Sequence, residues 1–273
     1  MTTATAPAPV TGYPGMRVTQ GRVIRSEWTK FRSLRSSKIT LLVAVVLTIG
    51  LGALISAVTA AHYTDMRDAR RAAFDPIVTS LNGVNIAQLA VGVLGVLLIS
   101  GEYATGMIRS SLTAVPERLP VLWAKITVFT VIVGIASIAS TVIAFVLGQS
   151  LLSGKTPSAG ISDPGALRMV IGAGVYLLLV GLVGIALGAL LRNTAAGISS
   201  LVALFFVIPP IMGLLPQSWS DTIGPYLPSN AGEAFWGRPD TAHLSPWVGF
   251  AVLCGWTIVA VALAAVRLKR SDA

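Results

Sequence analysis

The chain is dominated by long unbroken apolar runs rather than by alternation or by a single helical stripe. Six uncharged stretches, at 39–61, 77–100, 126–152, 169–191, 195–220 and 244–266, each reach the length needed to cross a lipid bilayer as a helix. A hydrocarbon core about 30 Å thick takes about 20 such residues. Period-two alternation is missing, which excludes a transmembrane β-barrel. The expected fold is an all-α integral membrane protein with six transmembrane helices. The first run starts at residue 39 and lasts 23 residues, too late and too long for a cleaved signal with its apolar core of about 7–15 residues. It reads as a permanent first span.

The polar segments between the runs add detail. Residues 1–21, rich in Thr, Ala and Pro at their start, form an expected disordered tail, and residues 22–273 a single six-helix domain. In 22–37, Ile24, Trp28, Phe31 and Leu34 or Arg35 fall at helical spacing among Arg22, Arg25, Lys30 and Arg32. That pattern fits an amphipathic helix on the inner leaflet, and equally a basic anchor that fixes topology. Segment 62–76 suggests a short solvated helix continuing from span one. Gly184 and Gly188 in span four make a small-xxx-small pair for close helix packing. Pro209-Pro210 should kink or break span five near its outer end. The loop 216–246 carries Trp219, Tyr226 and Trp236, expected as aromatic anchors at the outer interface.

Composition strengthens the membrane reading. Hydrophobic residues make up 54% and charged residues 11%, with mean hydropathy +0.78, whereas a soluble domain carries about 25% charged residues. The net charge of +9 orients the chain rather than pointing to nucleic acid. With both termini cytoplasmic, 14 Lys and Arg residues lie inside and 6 outside, as the positive-inside rule requires. The expected location is the cell membrane, multi-pass.

Candidate chemistry is sparse. Cys254 is the one cysteine, and His62 and His243 are the two histidines, so neither an intrachain disulfide nor a zinc cluster is expected. Gly154-Lys155-Thr156 fails as a phosphate loop, because position 149, where the first glycine belongs, is Gln. No cofactor and no catalytic constellation are expected on this chain. No charged residue lies deep in an apolar run, which argues against an intramembrane enzyme and a proton-driven carrier. Asn82, Asn85 and Gln88 step by three along span two and share a face. They are candidates to line a translocation path, or to make interhelical hydrogen bonds.

The loop after span two, about 101–119, is the most informative segment. Gly101 and Gly106 relax the backbone, and Pro116 terminates any helix beyond them. Met107, Ile108 and Leu112 mix with Arg109 and Glu102 into a surface suited to a partner's groove. Glu102 sits where the apolar run stops, at a depth where a lone carboxylate is costly. It is expected to pair with an Arg, a Lys or helix-end amides.

The chain resembles permease subunits of type-2 ATP-binding cassette transporters, especially short actinobacterial ones. The residues that carry the resemblance are Arg25-Ser26-Glu27-Trp28-Thr29-Lys30 before span one and Gly101-Glu102-Tyr103 with Gly106-Met107-Ile108-Arg109 and Pro116 after span two. Gly188 to Thr194 after span four adds to them. The resemblance implies two permease copies, identical or homologous, working with separate ATP-binding subunits that hold the ATP and Mg. It implies that the N-terminal helix, through Glu27, Trp28 and Lys30, touches those subunits. It implies the same of the loop, through Glu102, Tyr103, Thr105, Gly106, Met107, Arg109 and Leu112. The reading is an ATP-driven permease, expected as an exporter. The alternatives are a self-contained membrane protein, either a non-ATP carrier or a membrane-embedded enzyme, and a structural assembly factor.

Overall fold

A computed structural model describes residues 19–104, 106, 118–237 and 244–270. The described residues fold as helices joined by short turns. In chain order these are α1 (Gln20–Ser33), α2 (Arg35–His62), α3 (Asp68–Ala72), α4 (Pro76–Leu81), α5 (Val84–Ala104), α6 (Arg118–Leu152) and α7 (Ala166–Leu191). They continue with α8 (Thr194–Val202), a π-helical turn (Ala203–Val207), α9 (Ile208–Met212), α10 (Gln217–Ile223), a 3₁₀ turn (Gly224–Tyr226), α11 (Pro228–Trp236) and α12 (Pro246–Arg270). Among the described residues, six spans are long and apolar enough to cross a membrane. They are α2, α4 with α5, α6, α7, the α8–α9 unit and α12.

The centre of the bundle is the α5–α7 pair. Its closeness comes from glycine. A Cβ on Gly95 would lie 2.1 Å from the Gly181 carbonyl oxygen, and one on Gly184 would lie 2.3 Å from that of Gly92. Backbone therefore packs directly on backbone, with Gly188 against Val96 continuing the seam, as the small-residue spacing predicts. The α2, α8–α9 and α12 spans are far less buried and leave broad apolar faces for lipid or protein.

Helix boundaries reflect local chemistry. Asp75 caps α4, accepting from the Ile77 and Val78 amides at 2.8 and 3.0 Å, with Pro76 pre-set for the first turn. Asn193 caps α8 through the Ala196 amide at 3.0 Å. Immediately before it, Arg192 ends α7 in the left-handed region (φ 52°), its amide bonded to the Gly188 carbonyl. The prolines of span five cannot donate to the carbonyls four residues back. The helix accommodates this by widening to a π turn at Ala203–Val207, just ahead of Pro209-Pro210.

Four expectations are corrected. The amphipathic helix stops at Ser33, where extended Leu34 separates α1 from α2. Its buried face is Val23, Glu27 and Phe31, while Trp28 and Leu34 are exposed, so a carboxylate has replaced an indole on the inward side. Segment 62–76 holds the short helix α3, but the turn after His62 separates it from α2. Trp236 is no interface anchor: it is 1% exposed and lies beside Tyr176, whereas Trp219 and Tyr226 remain open.

Candidate functional site

At the end of the bundle beside α1, four charges from three helices meet. Glu27 and Lys30 come from α1, Glu102 from the last turn of α5, and Lys125 from the second turn of α6. Lys125 Nζ donates to Glu27 Oε2 and to Glu102 Oε1, both at 2.7 Å. Lys30 Nζ donates to Glu27 Oε1 at 2.8 Å and to Glu102 Oε1 at 3.1 Å. Among the described residues, two cations and two anions alternate in a ring. Lys125 and the two carboxylates are almost wholly buried, and Lys30 forms the more open side. Burial works against the Lys30 charge, but the hydrogen bond to Glu27 and the charges of Glu27 and Glu102 outweigh it and hold its ammonium above the ordinary lysine range.

Glu27, Glu102 and Lys125 would each be costly if buried alone. Each acquires partners within hydrogen-bond distance, which offsets its desolvation. The ring thereby joins the N-terminal amphipathic helix to the exit of span two and the entry of span three. A neighbouring contact extends the same layer to span four: the Arg192 guanidinium lies 5.2 Å from the centre of the Tyr103 ring. Thr194 donates to Ser100 at 2.9 Å, tying α8 to α5. Gly106 turns the chain after α5 with φ +72°, a conformation that suits glycine.

Of the contact candidates, the ring gathers Glu27, Lys30 and Glu102, with Tyr103 beside them. Trp28 is exposed on α1, outside the ring. Thr105, Met107, Arg109 and Leu112 lie outside the described residues. Lys125 is the member that sequence reasoning misses. It immediately precedes the third apolar run and passes for a loop charge. Leu119, Val121, Leu122 and Trp123 before it are the signal that could have found it, and the helix in fact starts at Arg118.

The path candidates form a column at the other end of the bundle. Asn85 donates to Asn82 at 3.3 Å, Gln88 donates to the Asn85 carbonyl at 2.9 Å, and buried Gln88 accepts from the Tyr176 hydroxyl. The column bridges the break between α4 and α5. Its upper end, Asn82, opens on a cavity of about 420 Å³ between α2, α3, α4 and α11. Gln149 supports this end, donating to the Pro76 carbonyl at 2.8 Å and to Ser80 at 2.9 Å.

These features define a polytopic α-helical membrane protein whose N-terminal amphipathic helix is ion-locked to its second and third spans. Residues 23–210 match the family model described as ABC-2 family transporter protein, and the chain belongs to that family. It is accordingly a multi-pass membrane protein, the permease component of an ABC transporter. No match emerged among curated proteins.

Proposed function

We propose that the chain is the permease of an ATP-driven exporter, working as one of a pair with separate ATP-binding subunits that hold ATP and Mg. The observation that carries this reading is the buried ring of Glu27, Lys30, Glu102 and Lys125. A lever for ATP-driven motion needs a rigid joint between the helix outside the bilayer and the spans within it. The ring is such a joint, and it stands at the root of the loop after α5. Movement of a partner pressed against α1 and that loop would be passed directly to spans two and three, biasing a two-state permease. The 14-to-6 distribution of Lys and Arg supports cytoplasmic termini, which puts the ring on the side where ATP is found. The Asn82–Asn85–Gln88 column, reaching from the distal cavity into the bundle, supports its role in the path.

Purification from the native membrane in mild detergent tests the assignment. A stoichiometric chain with a Walker motif should accompany the permease, and the permease alone should show no ATP turnover. Recovery without any ATP-binding chain, or turnover altered by substitutions in this chain alone, would overturn it.

A further inference from the structure

The cavity at the end of the bundle distal to the ion ring is lined by two charges without partners among the described residues. Glu233, on α11, lines it, and among the described residues its carboxylate has neither a hydrogen bond nor an ion pair. Arg70, on α3, lines it as well, and its guanidinium likewise has no partner there. The two are not bonded to each other. Asp75, the third charged residue of the lining, is engaged by the Ile77 and Val78 amides.

The wall that carries Arg70 is built rather than loose. Its neighbour Arg71 donates to the carbonyls of Tyr63, Thr64 and Met66, at 3.3, 2.7 and 3.3 Å, and its guanidinium sits 5.5 Å from the Tyr63 ring centre. Tyr63 in turn meets Phe74 edge to face. Arg71 thus holds the α2–α3 turn closed and leaves Arg70 to face the cavity. Opposite, Phe235 and Trp236 bury the inner side of α11 and fix Glu233 on its outer side. Glu233 stays exposed on that side, and partial desolvation in the cavity still pushes its carboxyl up, so a cation brought to it replaces solvation already partly lost.

The remaining lining is apolar, with Ile55, Phe74 and Val78 prominent. Ile55 belongs to α2, whose neighbours Leu54 and Val58 are more than half exposed. The cavity therefore adjoins a face of the bundle open to acyl chains. A cation and an anion without partners among the described residues, with an apolar exit along α2, are the complement of one kind of molecule.

We propose that this cavity binds a zwitterionic amphiphile, a phospholipid with a phosphoethanolamine or phosphocholine head. Arg70 takes the phosphate, Glu233 takes the ammonium group, and the chains leave along α2. Charge-assisted contacts of this kind orient the head, and the volume accommodates a headgroup rather than a whole lipid. The site is remote from the ion ring, so lipid binding there does not depend on ATP coupling.

Lipid competition on the full purified chain in detergent, read by native mass spectrometry, tests it. The probes are phosphatidylethanolamine, phosphatidylcholine and phosphatidylglycerol of identical chains, together with chain-free glycerophosphoethanolamine. Either zwitterionic lipid should be retained about tenfold better than phosphatidylglycerol, the factor expected of one charge-assisted contact. Glu233→Gln should abolish that preference, and Arg70→Gln should weaken retention of all three lipids. Helicity by circular dichroism identifies any variant that fails to fold. Arg70→Lys, which keeps the charge, should retain the preference for zwitterionic heads. Equal or better retention of phosphatidylglycerol by the parent would overturn the proposal. So would unchanged selectivity in Glu233→Gln, or binding of chain-free headgroup as tight as that of the lipid. None of these results bears on co-purification of an ATP-binding subunit, so the two readings fail separately.

Discussion

Lys125 on α6 donates a 2.7 Å hydrogen bond to Glu27 on α1, 98 positions earlier, with both side chains all but removed from solvent. A buried pair of this kind is weak evidence for added stability, since desolvation offsets attraction. Breaking it from one side is costly, because the other charge stays behind. Lys125→Met removes the buried ammonium that Glu27 and Glu102 share. It should destabilise the protein by about 3 kcal/mol in detergent unfolding. Adding Glu27→Gln removes one of the two carboxylates stranded by that substitution and should recover much of the loss. A double variant that loses the full sum of the two single effects would contradict the coupled ring.

The same ring should open in alkali. The Lys30 ammonium is held above its ordinary value, so its contribution is complete below the unfolded lysine pKa of about 10.4 and is lost only as pH rises through the higher folded value. Spin labels at Thr29 and Ala104, both exposed, with Cys254→Ser to remove the native thiol, report the distance from α1 to the end of α5, the gap that Lys30 bridges to Glu102. The distance should be constant from neutral pH to about 10 and lengthen above it. Lengthening already near neutral pH would contradict the raised value.

Gly95→Val places side-chain atoms where the Gly181 backbone already stands. Neither backbone can yield without parting α5 from α7, so a loss of at least about 2–3 kcal/mol is expected. Gly255→Val, on α12 where nothing lies within 4 Å of a Cβ, is the matched control and should change stability little. Thermal unfolding of both variants in one detergent decides it.

Tyr176→Phe removes the hydroxyl that donates to Gln88 inside the bundle. Gln88 is buried, and its carbonyl oxygen would lose that donor, at a cost of about 1–3 kcal/mol. Gln88→Leu combined with Tyr176→Phe should be closer to the parent than Tyr176→Phe alone, which the same unfolding measurement checks.

How much of this is legible in the sequence depends on the range of each interaction. The spans are legible because twenty apolar residues in a row have few other solutions in a membrane protein. The α5–α7 seam is partly legible because Gly184 and Gly188 are local in sequence. Glu102 is legible as a carboxylate needing a partner, since its position at the end of an apolar run makes the cost evident. The identity of that partner is not, because Lys125 reaches it across 23 positions and Glu27 joins through Lys125. For the same reason Glu27, read as a contact for an ATP-binding subunit, gives no local sign that it faces inward. Trp236 misleads because an aromatic in an outer loop suits the interface, and nothing local indicates that α11 folds back onto Tyr176.

If the ion ring transmits between the permease and an ATP-binding subunit, breaking the ring should weaken their association. Pull-down from native membranes of the parent, Lys125→Met and Tyr176→Phe, at matched membrane levels, tests this most directly. Both variants lose buried polar contacts, but only one touches the ring. A Walker-motif subunit should be recovered in full with the parent and with Tyr176→Phe. Recovery should fall about tenfold or more with Lys125→Met, equivalent to about 1.4 kcal/mol of lost association. Equal recovery with all three proteins would contradict a transmitting role for the ring.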